Sequence, residues 1–343
     1  MPVLLLTYFE ISIQLLPVDN CRTNVRRPMS VVRHLMLGEA RTCTREEFRK
    51  DAPALSIALD GVIPEGPWID LPRLQANFNH HEGVNRLATR CTAAQIDITL
   101  RMGGLSAFFN GLRPVHVFYN DCDPDVILSL WILENRLRVQ NMWGGPFEEL
   151  LRAIDLLDTT AATYPFPPSM DLGAIQWVFE PYFDARDHLV LDRENPADYE
   201  DVIQKCFIRI ERFLDGTPGR VQIKTDFKIV GQYNGWGMFQ CVGSLSRIGI
   251  VSSGYPAFVL VHKRPDGRYV YTLQRTCDGV VFPLELFYEA LNAVETAPGK
   301  WGGCDTVGGS PREHGSDLSP ERVAEIINIV LAAHVSSAML GIV

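Results

Sequence analysis

Three aspartates at alternate positions, Asp121, Asp123 and Asp125, follow a short apolar segment of the chain. That segment, residues 115–119, is typical of a buried strand, and a helix is predicted to begin near Val126. A junction of this kind brings polar side chains to the carboxyl edge of an α/β sheet. Because carboxylate oxygens suit hard divalent cations, the pattern predicts a metal site at that edge.

Two further polar segments follow predicted strands in the same way. Asn79, His80 and His81 come after a short apolar segment, and Asp60 ends another. Since the carboxyl ends of parallel strands meet at one edge of a sheet, we expect Asp60, His80 and Asp123 to share one crevice. Imidazole nitrogens would then complement the carboxylate oxygens around two ions, Mn²⁺ or Mg²⁺.

The predicted strands alternate with helical periodicity at residues 92–100, 129–139 and 147–157. This alternation predicts an α/β fold, a mostly parallel sheet with helices on both faces, plus a smaller α/β C-terminal domain. Residues 1–28 are predicted to be an N-terminal extension or edge strand, and residues 29–195 a metal-binding catalytic domain. Residues 196–343 are predicted to be a helix linker with a substrate-binding domain.

Residues 163–196 are rich in proline and aromatic side chains and are predicted to be an irregular interdomain region. A helix is expected at residues 197–214, and a last helix at 320–334. Between them, strands are predicted, among others, at residues 249–252 and 269–275.

Composition excludes several classes of protein. A net charge of −9 argues against the basic face that duplex DNA requires, although a few local arginines could hold a small nucleotide. The eight cysteines include no CxxC pair, which favours a reducing cytoplasm. The first sixteen residues lack the basic start of a signal peptide, and no apolar run reaches membrane-spanning length, so no membrane partner is expected.

These motifs resemble those of the DHH phosphoesterase superfamily. The segment from Asp121 to Ser129 is similar to its first metal motif, and Asn79-His80-His81 is similar to its Asp-His-His motif. Asp60 corresponds to the lone aspartate of its second motif. The motif order is permuted here, and asparagine replaces the first aspartate of Asp-His-His. The resemblance implies that Asp60, Asn79, His80, His81, Asp121, Asp123 and Asp125 bind two metal ions, with Asp123, His80 and His81 catalytic.

The C-terminal part resembles the substrate-binding domain associated with that family. Its strand ends in Arg275, and a glycine-rich segment contains Gly308 and Gly309. Arg312 and His314 follow, and a serine occupies the position where the family has a histidine. These residues, Arg275, Gly308, Gly309, Arg312 and His314, are therefore expected to bind substrate, because glycine backbones and arginine forks suit phosphate.

The expected activity is hydrolysis of a phosphate ester or phosphodiester of a small nucleotide or short oligonucleotide, in an interdomain cleft. One alternative is a non-hydrolytic binding or regulatory protein on the same fold, and another is a metal enzyme for a different small anion. The oligomeric state is left open, with a homo-oligomer as one alternative.

Each candidate residue also has a purely structural interpretation. An aspartate before a helix is a common N-cap, although capping requires one aspartate and not three. His80 and His81 could be ordinary loop histidines, and the Asp60-Gly61 pair is a turn signal. The glycine-rich segment could be a flexible loop, and Arg275 could form an ion pair with Asp278.

Overall fold

The computed structural model of the chain describes residues 9–11, 30–38, 41–111, 113–311 and 313–339. The chain divides into two compact units. The first contains Met1–Thr159 and Pro168–Val221, and the second contains Thr160–Pro167 and Gln222–Val343. Among the described residues each unit has one six-stranded sheet with helices, so the predicted α/β class is confirmed. Both sheets are mixed, however, and not mostly parallel.

The sheet of the first unit has a parallel centre and antiparallel edges. Its strands are β1 (Phe9–Ile11), β2 (Val31–Leu35), β3 (Ser56–Leu59), β4 (Trp68–Asp70), β5 (Gln75–Phe78) and β6 (Val115–Tyr119). They lie in the order β1-β2-β6-β3-β5-β4. The four central strands are parallel, whereas β1 and β4 pair antiparallel at the two edges. The carboxyl ends of β6, β3 and β5 therefore lie side by side.

Helices cover both faces of this sheet. They are α1 (Arg45–Asp51), α2 (Thr92–Arg101), α3 (Ser106–Phe109), α4 (Pro124–Glu134), α5 (Arg136–Val139), α6 (Gly145–Thr159), α7 (Leu172–Asp187) and α8 (Pro196–Leu214). Phe48 of α1 packs on one face, against Ala58 and Phe118. Their strand neighbours Ile57 and Val117 alternate to the other face and are fully buried there. Helix α4 is apolar on all sides and contacts α2, α6 and α8.

Two predictions about the middle of the chain were wrong. Residues 163–196 were expected to be irregular, yet α7 (Leu172–Asp187) lies within this region. Its buried residues Ala174, Ile175, Val178 and Phe179 are spaced for one helical face, and the helix continues through Pro181. Helix α8 was assigned to the second domain, yet it belongs to the first unit because it packs against α7 and α4.

The second unit is built on a largely antiparallel sheet. Its strands are β7 (Phe227–Tyr233), β8 (Trp236–Cys241), β9 (Ala257–Lys263), β10 (Tyr269–Arg275), β11 (Gly302–Gly303) and β12 (Val307–Gly309). These strands lie in the order β11-β12-β10-β9-β8-β7. Among the described strands of this sheet, only β8 and β9 pair in parallel. Helices α10 (Leu284–Asn292) and α11 (Pro320–Met339) pack on one face, and α9 (Ser246–Ser252) contacts β7.

The short apolar run at residues 249–252 was predicted to be a strand, but it lies in α9. Ile250 of this helix packs with Phe239 and Phe258. A run of four residues is too short for periodicity to separate a strand from a buried helical turn. Within the part of the chain that the structure describes, no helix is both long and apolar enough to cross a membrane.

A buried arginine joins three elements of the first unit. Arg33 of β2 is 1% exposed. Its Nε lies 2.6 Å from Glu134 Oε1 at the end of α4, and its Nη1 lies 3.0 Å from both carboxylate oxygens of Glu200 in α8. Burial would lower the pKa of Arg33, but the Glu134 carboxylate raises it above its usual value. The guanidinium thus stays charged and links the sheet to both helices.

Replacing Arg33 by alanine should lower the free energy of unfolding by about 3 kcal/mol, because two carboxylates would lose their shared cation. We place the value at the lower end of the range for buried pairs, since Glu134 and Glu200 are 19% and 20% exposed and can partly hydrate. Arg138→Ala breaks an exposed ion pair with Glu211 and is the matched control, with a loss of about 1 kcal/mol or less. Equal urea denaturation curves for the two variants would contradict this interpretation.

Candidate metal centre

The parallel centre of the first sheet collects polar side chains at one edge. Asp60 directly follows β3, and its backbone N donates to Phe78 O at 2.8 Å. His80 and His81 follow β5, while Asp123 follows β6 and leads into α4. Asp60 has a φ of +44°, in the left-handed region that aspartate tolerates better than most residues. The strand order β6-β3-β5 therefore brings the three predicted segments together.

His80 lies at the centre of the group and is fully buried. Its Nε2 is 3.0 Å from Asp158 Oδ2, 3.6 Å from Asp60 Oδ1 and 3.7 Å from Asp125 Oδ2. A single ring nitrogen carries at most one hydrogen, so it can satisfy one of these oxygens at a time. Three carboxylates converging on one nitrogen is the arrangement expected where a cation binds.

Two members of this group were missed by the sequence analysis. Asp158 lies in the last turn of α6, and Arg86 lies in a short 3-10 helix, Arg86–Ala88. Arg86 is 6% exposed and donates from Nη2 to Asp158 Oδ1 at 2.8 Å and to Asp158 O at 2.9 Å. An aspartate in the last turn of a helix opposes the helix dipole, and this was the available signal for Asp158.

His81 connects Arg86 to Asp60. Its Nδ1 lies 2.7 Å from Arg86 Nη1, and its Nε2 lies 2.9 Å from Asp60 Oδ1. Burial would lower the pKa of His81, but the Asp60 carboxylate raises it, and Arg86 opposes that rise. A guanidinium only donates, so the contact with Arg86 requires an unprotonated Nδ1 and hence a hydrogen on Nε2. A second proton on the ring would therefore cost the Arg86 contact.

Asp125 and Asp123 both cap helices, so the structural interpretation of the aspartates is correct in part. Asp125 Oδ2 and Oδ1 accept from the backbone N of Thr92 and Ala93, each at 2.7 Å, at the start of α2. Asp123 Oδ1 accepts from Val126 N at 2.9 Å at the start of α4. Asp125 is nevertheless also part of the group around His80. The carboxylate of Asp125 can therefore cap α2 and also belong to the site.

Repulsion between these carboxylates is visible in their pKa values. Burial raises the pKa of Asp125 to about 7, with Asp158 and Asp60 adding to the rise. Burial also raises the pKa of Asp123 well above its usual value, again together with Asp60 and Asp158. For Asp60 and Asp158 burial alone would raise the pKa, but His81 lowers it for Asp60 and His80 lowers it for Asp158. The group therefore has fewer positive charges than carboxylates.

Two overlapping sets of side chains could hold a metal ion. The ligand atoms of Asp60, His80 and His81 lie within 4.8 Å of one another, as do those of His80, Asp125 and Asp158. The side chains of His81 and Asp158 are 29% and 22% exposed, so the group is reached from solvent past these two residues. Aspartate and histidine donors at this spacing fit a divalent cation.

Of the predicted ligands, Asp123 is in neither set, and two others contact different partners. Asn79 is fully buried, but its Nδ2 donates to Glu65 O at 3.0 Å and Glu82 Oε2 at 2.9 Å, and its Oδ1 accepts from His81 N at 3.0 Å. These contacts use the amide to position the segment that carries the histidines. The carboxylate of Asp121 is paired with Arg186 of α7. Asp121 belongs to neither of the two sets of potential ligands.

Arg186 also contacts Tyr182 one turn earlier in α7, with Nε donating to the phenol oxygen at 3.2 Å. Burial raises the pKa of Tyr182, and the carboxylates of Asp121 and Asp123 raise it further. The phenol therefore lies near both aspartates. This places α7 beside the loop that carries Asp121 and Asp123.

The predicted substrate residues of the second unit have local partners. Arg275 donates to Asp305 O at 2.7 Å and to Asp278 Oδ1 at 2.7 Å, which is the ion-pair alternative. Gly308 and Gly309 lie in β12, where a Cβ would come within 2.0 Å of Tyr288 Oη and 2.1 Å of Tyr271 O, so close packing requires glycine. His314 is half-exposed, 3.7 Å from Glu313. Arg312 lies outside the described residues.

Asp158→Asn should weaken the binding of Mn²⁺ by about tenfold or more. Removing a residue that only orients a metal ligand already costs about tenfold to 100-fold in affinity. The substitution keeps the size of the side chain and removes one of the anionic oxygens around His80. Asp97→Asn is the control, because Asp97 is also an aspartate paired with an arginine, but within α2 and not at the centre. Titration calorimetry on chelator-treated protein measures the Mn²⁺ affinity of both variants. Equal affinities in the two variants would exclude Asp158 as a ligand.

Asn79→Asp tests whether Asn79 is a ligand or a positioning residue. The structure predicts that the new carboxylate would face Glu82 and the carbonyl of Glu65, and would lose both donated hydrogen bonds. We expect the free energy of unfolding to fall by about 1 to 3 kcal/mol, the cost of unsatisfied buried polar groups, without tighter metal binding. Thermal denaturation and metal titration measure these effects. A more stable protein that binds Mn²⁺ more tightly would place Asn79 among the ligands.

Comparison with known protein-family models and with curated protein sequences finds no match to this chain. The resemblance to the DHH superfamily therefore rests on the residues quoted above. The structure itself shows a buried group of aspartates and histidines that could hold a metal ion.

Proposed function

We propose that this chain is a metal-dependent phosphoesterase that hydrolyses a phosphate ester or phosphodiester of a small nucleotide or short oligonucleotide. The observation that supports this most is the convergence of Asp60, Asp125 and Asp158 on Nε2 of His80. Such a concentration of buried carboxylates is costly unless a cation balances it.

Mn²⁺ and Mg²⁺ are the ions we propose. Their preference for carboxylate oxygens fits a site with more aspartates than histidines, and Mn²⁺ also accepts imidazole. His80, Asp125 and Asp158 would hold one ion, and Asp60 with His81 would contribute to a second. Asp123 is the candidate for a further ligand, because cations would relieve the repulsion that now raises its pKa.

When bound, such ions polarise a phosphoryl oxygen and lower the pKa of a coordinated water. In the hydrolysis, the oxygen of water forms the new bond to phosphorus, the bond from phosphorus to the alcohol oxygen breaks, and a proton from water ends on that oxygen. The residues of the chain orient this reaction. Arg86 fixes Asp158 and His81 through three contacts of 2.7 to 2.9 Å. Thr92 Oγ1 donates to Asp60 Oδ1 at 3.1 Å and orients that carboxylate.

A substrate panel tests the proposal. Chelator-treated protein should be inactive on bis(p-nitrophenyl) phosphate, p-nitrophenyl phosphate and short oligonucleotides, and Mn²⁺ or Mg²⁺ should restore hydrolysis of at least one. Release of p-nitrophenol and gel analysis of the oligonucleotides measure the rates. Asp158→Asn should lose at least about 100-fold of the restored rate, about 2.7 kcal/mol of transition-state stabilisation. Asp97→Asn should retain the rate.

Three results would redirect the proposal. Metal binding without hydrolysis of any phosphoester would favour the binding or regulatory alternative on the same fold. Metal-dependent hydrolysis of p-nitrophenyl acetate alone would indicate a metal enzyme for another class of ester. Phosphoester hydrolysis that survives chelation and Asp158→Asn would show that the activity does not use this group.

A further inference from the structure

Two arginines are anchored at the end of β6, next to the aspartate-rich loop. Arg186 of α7 pairs with the Asp121 carboxylate and donates to Tyr182 Oη. Arg41 donates from Nε and Nη2 to the backbone oxygen of Asn120, at 3.3 and 3.1 Å. Asn120 in turn donates to Arg41 O at 3.0 Å. The two guanidinium groups are thus held by consecutive residues, Asn120 and Asp121.

The two arginines come from separate parts of the first unit. Arg41 precedes α1, and Arg186 lies in the last turn of α7. Burial raises the pKa of Tyr199, and the charges of both arginines oppose that rise. The Tyr199 hydroxyl donates to Leu191 O at 3.1 Å. Their positive charges therefore act on one small region. Asp123, two residues beyond Asp121, is partly buried, and its pKa is raised by burial together with Asp60 and Asp158.

We propose that Arg186 and Arg41 form a subsite that binds the non-bridging oxygens of a substrate phosphate. In this proposal Asp121 holds Arg186 until the phosphate replaces it. The inference rests on the proposed phosphoesterase function and adds the residues that recognise the anion. It also assigns Asp121 a role different from the metal ligand expected from sequence.

The exposure of the pair makes this exchange feasible. The side chains of Arg186 and Asp121 are 33% and 23% exposed, so solvent and a small anion can reach both. An ion pair of this exposure contributes little net stability, whereas phosphate offers a guanidinium two oxygens in the geometry of its fork. A substrate phosphate can therefore displace the carboxylate of Asp121. Tyr182 keeps the guanidinium oriented during the exchange, because its contact uses Nε and not Nη2.

An anion subsite is also required by the charge of the centre. Asp60, Asp123, Asp125 and Asp158 would repel a phosphate that approached without compensation. Metal ions offset this repulsion at the reacting oxygen. Fixed guanidinium groups beside the aspartate-rich loop would offset it where the rest of the phosphate enters.

The chain contains a comparable ion pair between α7 and α8. Arg209 of α8 pairs with Glu180 of α7 at 2.7 Å, with side-chain exposures of 26% and 35%. It resembles the Arg186–Asp121 pair in type and exposure, but it has no aspartate-rich loop beside it among the contacts described. A purely structural role for Arg186 predicts that the two arginines respond alike to substitution.

The test uses inorganic phosphate as the probe and the full chain saturated with Mg²⁺. Titration calorimetry should show that Arg186→Gln weakens phosphate binding by about tenfold to 100-fold, the loss of hydrogen bonds to a charged group. Arg186→Lys should also weaken it, since lysine lacks the fork. Arg209→Gln should bind phosphate normally. Mg²⁺ affinity should be unchanged in all three variants.

Asp121→Asn gives an effect of opposite sign. Removing the competing carboxylate should tighten phosphate binding by up to about fivefold, the scale of an exposed ion pair. This increase cannot result from a damaged fold, so it separates anion binding from stability. Unchanged phosphate affinity in both Arg186→Gln and Asp121→Asn would overturn the proposal.

These measurements separate failure of the phosphate subsite from failure of the proposed hydrolytic function. If the protein hydrolyses phosphoesters but Arg186→Gln changes neither phosphate affinity nor KM, only the subsite is wrong. If no phosphoester is hydrolysed but phosphate binding still depends on Arg186, the subsite is correct and the hydrolytic function is wrong.

Discussion

Repulsion among closely spaced carboxylates is the constraint around which the first unit is organised. Asp60, Asp123, Asp125 and Asp158 lie at one edge of one sheet, and each is offset by a different group. The carboxylate of Asp60 contacts His81, that of Asp158 pairs with Arg86, and that of Asp125 accepts from two backbone amides. Asp123 has a single amide, and its pKa is raised well above its usual value by burial and its neighbours. Burial and repulsion therefore favour the protonated form of Asp123, and a divalent cation is suited to hold it as a carboxylate.

The sequence predicted the part of this arrangement that follows from strand geometry. The strand predicted at residues 115–119 has the observed bounds of β6, and the apolar segments before Asp60 and Asn79 are strands β3 and β5. Because parallel strands end at a common edge, Asp60, His80 and Asp123 were expected in one crevice. The sets of potential ligands contain Asp60, His80 and Asp125, and not Asp123. The side-chain direction of Asn79 could not be predicted in this way. A polar residue before two histidines resembles a ligand, and only the path of the 63–66 loop shows that its amide is used there.

Contacts between distant helices account for the remaining errors. Asp158 reaches the site from the end of α6, and Arg86 from a 3-10 turn, at positions set by how α6 packs on α2. Local patterns do not specify such an arrangement. The same limit explains α8, which was predicted as a helix but not as part of the first unit. In the second unit, the glycines of β12 resembled a phosphate-binding loop, although Gly308 is needed so that Tyr288 can pack against the strand.

The double role of Asp125 has a consequence for motion in the first unit. Its carboxylate accepts the first amides of α2 while it also faces His80. Fraying of the first turn of α2, ordinarily an inexpensive local opening, would therefore release a ligand group of the centre. The helix end and the centre should open as one cooperative unit. Amide hydrogen exchange at Thr92 and Ala93 would then report on ligand occupancy, although neither residue contributes a ligand atom to the centre.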